Sequence, residues 1–266
     1  MMAFDTTKLG TTEQDVTYCT TDGYALKMDV YYPTSVGPWP GVIFIHGGGW
    51  TEGDKAPLPV MPTASGFLVV SLNYRMYPAY RFPAMIEDVK CAIRFLRAHA
   101  ADYNLAAERI AVIGHSAGGH LAALAGLADE RAGWDVGPYR EHSSRVQAVV
   151  EMSGPTDLTA RFPEAVEELK GNVFGAEHFV SASPVTYVAA DAPPFLIIHG
   201  DKDAVVPVEQ AQRLHDALRK AGASSELVIL QHAGHGFEPV DGLPTPAVEE
   251  AMALMFGFLM RRFADF

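Results

Sequence analysis

Six short, uninterrupted apolar runs rich in β-branched residues mark out this chain: GVIFI (41–45), FLVVSL (67–72), RIAVI (109–113), VQAVVEM (146–152), PFLIIHG (194–200) and ELVIL (226–230). A strand with one face in water alternates apolar and polar residues. Strands that are apolar on both faces must be covered on both, the condition of a parallel sheet between layers of helix. The intervening segments read as those helices. Pro83 opens one with an apolar stripe of Ile86, Val89, Ile93 and Leu96, and with Glu87, Lys90, Arg94 and Arg97 on the other side. Pro207 opens another, Ala211, Leu214, Leu218 and Ala221 facing inward and Gly222 placed as its stop. Thr245-Pro246 begins the last, whose first-turn Glu249 and Glu250 and last-turn Arg261 and Arg262 complement the helix dipole. The front end differs. Residues 24–32 alternate, with Tyr24, Leu26, Met28, Val30 and Tyr32 on one face and Lys27 and Asp29 on the other, and Asp22-Gly23 is a hairpin turn signal joining them to residues 14–20. The expected fold is α/β: a mostly parallel sheet of about eight strands with an N-terminal antiparallel hairpin and helices on both faces. The stretch 155–190 lacks a strand and is the expected place for a small cap within a single domain spanning 1–266.

Charge and cysteine content exclude several functions. The 266 residues carry 20 Lys+Arg against 32 Asp+Glu, a net charge of −12. So acidic a surface repels phosphate backbones and anionic lipid heads, so neither nucleic acid nor membrane is an expected partner. No run reaches the length of about 18 apolar residues that a membrane span needs. The opening MMAFDTTKLG has no apolar core behind a basic start, so no signal peptide is expected. Cys19 and Cys91 are too few for a disulfide framework and form no C-x-x-C pair. They read as buried, reduced thiols, and with them goes the expectation of a reducing, cytoplasmic compartment. No His/Asp/Glu spacing resembles a metal-ligand set, and no motif speaks to oligomeric state.

The chemistry concentrates at strand ends. GHSAGGH (114–120) follows the run 109–113 and leads into the small-residue helix ALAGLA. Gly114-His115-Ser116-Ala117-Gly118 is thereby a G-x-S-x-G elbow, whose sharp turn needs small residues at both glycine positions and lifts Ser116 above the carboxyl ends of the strands. A serine hydroxyl needs a base, and the base an orienting acid. PFLIIHGDKDAVVP spills Asp201 and Asp203 onto the loop after its strand, and LVILQHAGHGF does the same with His232 and His235. His232 follows the strand at once and reads as a capping or packing residue. His235, between two glycines, is free to reach inward, whereas either aspartate could hold an imidazole. HGGGW (46–50) follows the run 41–45, and its glycines can turn backbone N–H groups into a cavity as an oxyanion hole. Gly48 and Gly49 are the expected donors there, joined by the N–H of Ala117. Trp50, Tyr74, His115 and Phe237 are candidates for a substrate pocket. His120 reads as a structural histidine, and Asp54 and Lys55 as local ties on the glycine loop.

HGGGW, NYR (73–75), GHSAGGH, SPVTYV (183–188), HGDKDAVVP and HAGHGF together resemble, in order, the motifs of α/β-hydrolase carboxylesterases. The resemblance is strongest to the bacterial branch related to hormone-sensitive lipase and to feruloyl-esterase-like enzymes, and it runs from about residue 15 to the end. It implies the α/β-hydrolase fold and hydrolysis of a small carboxylic ester without a cofactor. It also places the acid in a D-x-x-V-P pattern, and so on Asp203, giving Ser116, Asp203 and His235 as the catalytic set. The layout of that family further suggests that Asp88 braces Arg75. The HGG-x-W loop and S-A-G-G elbow also resemble those of arylformamidases. A non-enzymatic receptor on this scaffold fits poorly, because all three catalytic residues are present.

Overall fold

A computed structural model of the protein describes residues 5–56 and 66–263. The strands are β1 (Thr12–Thr21), β2 (Tyr24–Tyr31), β3 (Trp39–Ile45), β4 (Leu68–Leu72), β5 (Leu105–His115), β6 (Ala148–Met152), β7 (Phe195–Gly200) and β8 (Ser225–Leu230). They form one sheet in the order β1-β2-β4-β3-β5-β6-β7-β8. The β1–β2 hairpin and the β2–β4 pair are antiparallel, and every pair from β4 to β8 is parallel. Each apolar run of the sequence becomes one of the parallel strands.

Alternation along the strands divides the core. Ile43, Ile45, Val112, Val149 and Ile197 point to the face covered by α1 (Ala84–Ala98), α2 (Ala117–Leu127) and α4 (Glu209–Ala221). Val42, Phe44, Ile113, Val150 and Ile198 point the other way, where α5 (Val248–Phe263) closes the sheet with Ala251, Met255, Phe258 and Leu259. Gly222 stops α4 in the left-handed conformation at φ 84°, which costs glycine nothing. Between β6 and β7 lies α3 (Glu164–Phe174), followed by two short 3-10 turns at Ala176–His178 and Pro184–Tyr187. This segment is fixed to its surroundings. Gln210 Oε1 accepts the N–H groups of Thr156 (2.8 Å) and Asp157 (2.7 Å), Ser183 Oγ accepts that of Leu158 (2.8 Å), and Val173 O accepts that of Phe82 (3.2 Å).

Two expectations are corrected. Lys90, Arg94 and Arg97, expected on the side of α1 away from its apolar stripe, are all buried. The chain between α2 and β6 folds over them: Lys90 Nζ donates to Ala128 O (2.9 Å), Asp135 (3.1 Å) and Ser144 (2.9 Å), Arg94 pairs with Asp135 at 2.6 Å, and Arg97 donates to Ser143 O and Arg145 O. The carbonyls of an irregular segment satisfy these cations, and helical periodicity carries no trace of them. The second correction concerns the cysteines. Cys19 on β1 and Cys91 on α1 are joined as a disulfide, with Cα atoms 6.5 Å apart and a sequence separation of 72. The helix laid on the hairpin brings them together, a long-range contact that two isolated cysteines in a sequence do not reveal. The inference from free thiols to a reducing compartment therefore loses its ground.

The cross-link can be tested directly. Thiol titration of the unreduced, denatured protein should find no free cysteine. Replacing the pair (Cys19→Ser with Cys91→Ser) should lower unfolding stability by about 4 kcal/mol, the chain-entropy value for a loop of this length. Two titratable thiols without reductant would refute the pairing.

Candidate active site

The parallel arrangement brings the carboxyl ends of β3, β5, β7 and β8 to one edge of the sheet, where crevices of such folds collect ligands. Ser116 stands there between β5 and α2 with φ 57° and ψ −121°, a conformation that L-residues adopt only under constraint. Ser116 N–H donates to Met152 O on β6 (2.8 Å), and Ser116 O accepts the N–H of His120 (3.0 Å). A Cβ at Gly114 would lie 2.0 Å from Gly118 O, and one at Gly118 would lie 2.0 Å from Ile45 O. The sharp turn of the elbow blocks a side chain at Gly114, and the end of β3 passing beneath it blocks one at Gly118.

His235 reaches Ser116 from the loop after β8. Its Nε2 lies 2.8 Å from Ser116 Oγ and its Nδ1 lies 2.7 Å from Asp203 Oδ2. Because the carboxylate only accepts, Nδ1 carries the ring proton and Nε2 is left to receive the serine hydroxyl. Asp203, with a fully buried side chain, also accepts the N–H groups of Val205 and Val206 on Oδ1, both at 2.8 Å. Burial alone would raise its affinity for a proton. The hydrogen bonds from His199 and His235, with that of Val206, outweigh burial and hold the carboxyl well below the usual carboxylate range. An imidazole so oriented can take the serine proton and be stabilised once charged. Asp201 is not part of this chain, its Oδ2 lying 3.9 Å from Lys202 Nζ, and His232 pairs with Asp241 at 2.6 Å.

The glycine loop 46–50 faces Ser116 from β3. Gly48 O accepts the N–H groups of Thr51 and Glu52, both at 3.0 Å, closing a turn that only residues tolerant of positive φ can make. Gly48 sits at φ 104° and Gly49 at φ 57°. Among the described residues neither the Gly48 nor the Gly49 N–H has an acceptor, and Ala117, the first residue of α2, has no helical acceptor for its own. All three are therefore available to a developing oxyanion. Leu169 of α3 overhangs the loop, its Cδ2 2.9 Å from where a Cβ on Gly49 would be.

Each of the four pocket candidates makes contacts that support a neighbouring loop. Trp50 and Tyr74 lie behind the loop and are buried. Tyr74 Oη donates to His46 O (3.0 Å) and its ring stacks on His46 at 4.5 Å. Trp50 Nε1 donates to His120 Nδ1 (3.2 Å), with the indole edge-on to Phe174 at 4.9 Å. His120 donates from Nε2 to Ala182 O (2.7 Å), and burial pushes it down to about 4, so it stays neutral and can accept from the indole. His115 donates from Nε2 to His235 O (2.8 Å), and Phe237 packs edge-on against it at 5.9 Å, so both brace the loop that carries His235. Lys55 and Asp54 do tie the chain down, though to other elements: Lys55 Nζ binds Asp29 (3.0 Å) and Asp15 (3.1 Å), and Asp54 accepts from Asn73 (3.1 Å). Asp88 braces Arg75 as expected, accepting its Nε at 2.9 Å. Sequence reasoning missed His199, whose Nε2 is 3.2 Å from Asp203 Oδ2; it is the histidine of HGDKD, masked by the aspartates after it. No group of three or more His, Cys, Asp or Glu able to hold a metal ion occurs among the described residues, nor any helix long and apolar enough to cross a membrane.

An eight-stranded sheet of this order, with a serine at the elbow after β5 and its histidine after the last strand, is the α/β-hydrolase fold. The chain belongs to the BD-FAE family, whose sequence model matches residues 28–218. It is 36% identical over 244 residues to esterase LipC of Mycobacterium tuberculosis, an alignment covering 86% of this chain and 60% of LipC. The chain thus spans less than two thirds of that relative's length. Among solved structures it resembles a truncated carbohydrate esterase from gut microbiota (TM-score 0.80, 29% identity, 98% of this chain and 99% of that one). It also resembles esterase 2 of Thermogutta terrifontis, both phosphonylated by sarin (TM-score 0.82, 28% identity, 94% of each chain) and with butyrate bound (TM-score 0.80, 29% identity, 96% of this chain and 95% of that one).

The support role of Trp50 is measurable. Trp50→Phe removes the indole donor and leaves buried His120 Nδ1 without a partner, which should cost about 1–3 kcal/mol in urea unfolding. A loss within about 0.5 kcal/mol, the range of ordinary surface changes, would place Trp50 outside the framework of the loop.

Proposed function

We propose that the protein is a serine carboxylesterase that hydrolyses short-acyl esters through an acyl-enzyme. The observation that carries this reading is the unbroken hydrogen-bond chain from Ser116 Oγ through His235 to Asp203, at 2.8 and 2.7 Å. In the first half-reaction Ser116 Oγ attacks the ester carbonyl while His235 Nε2 takes its proton. The oxyanion is received by the N–H groups of Gly48, Gly49 and Ala117. The tetrahedral intermediate collapses as His235 returns the proton to the leaving alcohol, leaving the acyl group on Ser116. Water, activated by the same imidazole, then releases the acid. No step requires a cofactor.

Residues 155–190 act as a small fixed cap. Its ties to Gln210 and Phe82 oppose a hinged, lipase-like lid, and Leu169 over Gly49 gives the acyl side a close apolar roof. A pocket bounded in this way takes few methylenes, each adding only about 0.8 kcal/mol until the roof is met. The butyrate in Thermogutta esterase 2 agrees with a short acyl group. A carbohydrate esterase among the structural neighbours makes an acylated sugar a reasonable alcohol portion to test.

Three measurements bear on this reading. Ser116→Ala should abolish turnover of p-nitrophenyl acetate by several powers of ten with the fold intact; a variant keeping about a tenth of the wild-type rate would remove Ser116 from the nucleophile's role. Across p-nitrophenyl esters, kcat/KM should peak between acetyl and butyryl, and an optimum at octanoyl or longer would overturn the roof formed by Leu169. Formylkynurenine and methyl ferulate belong in the same panel, and a preference for formylkynurenine would make the enzyme a formamidase with the same catalytic set.

A further inference from the structure

His199 is a fully buried histidine near the carboxyl end of an apolar strand, directly after Ile197 and Ile198. An aliphatic side chain there would avoid the cost of burying an imidazole. Its contacts all lead to the catalytic carboxylate. His199 Nε2 donates to Val206 O (2.9 Å), and the same nitrogen lies 3.2 Å from Asp203 Oδ2, the oxygen that also receives His235. Its Nδ1 is buried with no hydrogen-bond partner. Diagonal to it on the neighbouring strand is Glu151. The register pairs Glu151 with Ile197, so His199, two residues on, shares its face of the sheet, the one beneath α2 and α4. Glu151 is likewise fully buried: Oε1 accepts the N–H of Gly154, and Oε2 has no partner. Two unpartnered polar atoms on one buried face are a cost that a structural role alone leaves unexplained.

We propose that His199 is a positioning residue for the esterase reaction, a second imidazole that pins the shared oxygen of Asp203 while Glu151 balances its charge. This rests on the reading of Ser116, His235 and Asp203 as the catalytic set. With His235 on Oδ2 and the N–H groups of Val205 and Val206 on Oδ1, the carboxylate accepts three hydrogen bonds, and His199 Nε2 at 3.2 Å from Oδ2 adds a fourth contact that fixes its orientation. It cannot swing away when His235 becomes charged. The groups around His199 fit this role. Glu151 faces it from β6 and His115 from the end of β5, and Asp203 and His235 lie on the loops. Asp201, on the same loop as Asp203, is 3.9 Å from Lys202. Burial opposes a charge on His199, but Asp203 and Glu151 outweigh it and raise its affinity for a proton; burial pushes Glu151 up to about 7, with His199 pulling the other way.

The sign of the effect follows. A donor on Oδ2 withdraws electron density that would otherwise stabilise protonated His235, so its removal should move the acid limb of kcat/KM to higher pH. His199→Leu should lower kcat about tenfold, the scale of a hydrogen bond to a charged group, leave KM within about twofold and raise the acid limb by about half a unit or more. His199→Gln places an N–H donor where Nε2 stood and should recover most of kcat. Glu151→Gln, which removes the balancing anion, should move the limb the opposite way. A purely structural histidine would lower Tm in these variants without displacing the limb. Titration of His235 by nitrogen-15 NMR reads the same displacement without turnover. A wild-type protein inactive on every ester would therefore refute the esterase reading and still leave the hold of His199 on Asp203 measurable. The proposal is overturned if His235 titrates alike in wild type and His199→Leu, or if His199→Gln is as impaired as His199→Leu.

Discussion

The strained backbone of Ser116 is the constraint on which the rest of the site depends. A residue at φ 57° and ψ −121° persists only where its neighbours over-determine it. Here β5 and α2 pull from either side, Met152 O takes the serine N–H, and Ile45 O blocks any side chain at Gly118. The close approach that demands glycine at 118 brings the end of β3 alongside the elbow, and it holds the glycine loop that follows β3 beside Ser116.

A second constraint, electrostatic, lies deeper. Asp203 is a carboxylate without access to water, and its charge survives only because protein donors replace the lost hydration. The elements that supply them are separate in sequence: backbone amides at 205 and 206, His199 from β7 and His235 from beyond β8. His115, inside the elbow, then grips the carbonyl of His235, so the strand leading to Ser116 also fixes the loop that carries His235. The machinery is cross-braced, with few of its parts held by a single element.

Much of this was legible in the sequence because it depends on local pattern. Uninterrupted β-branched runs became the parallel strands, and the alternation of residues 24–32 became the second hairpin strand. The elbow was legible because its glycines are a steric necessity. The choice of Asp203 over Asp201 needed the family resemblance, since both aspartates leave the same strand and only the turn decides which faces inward. What escaped depends on contacts between distant segments. Lys90 and Arg94 follow helical periodicity as polar residues, and only the path of residues 128–147 buries them. Trp50 and Tyr74 are large aromatics beside a functional loop, a pattern that does not distinguish a pocket wall from a support behind it. The Cys19–Cys91 bond depends on α1 packing against β1, as His199 depends on where Asp203 comes to rest.

The central claim is that Ser116 is a nucleophile made reactive by His235, and covalent labelling tests it most directly. The protein should be treated with a fluorophosphonate over a range of pH and the modified peptide located by mass spectrometry. The account predicts one adduct, on Ser116, formed at a rate that falls on the acid side as His235 takes a proton and lost when His235→Ala removes the base. An adduct on another residue, or equally fast labelling of Ser116 in His235→Ala, would contradict it.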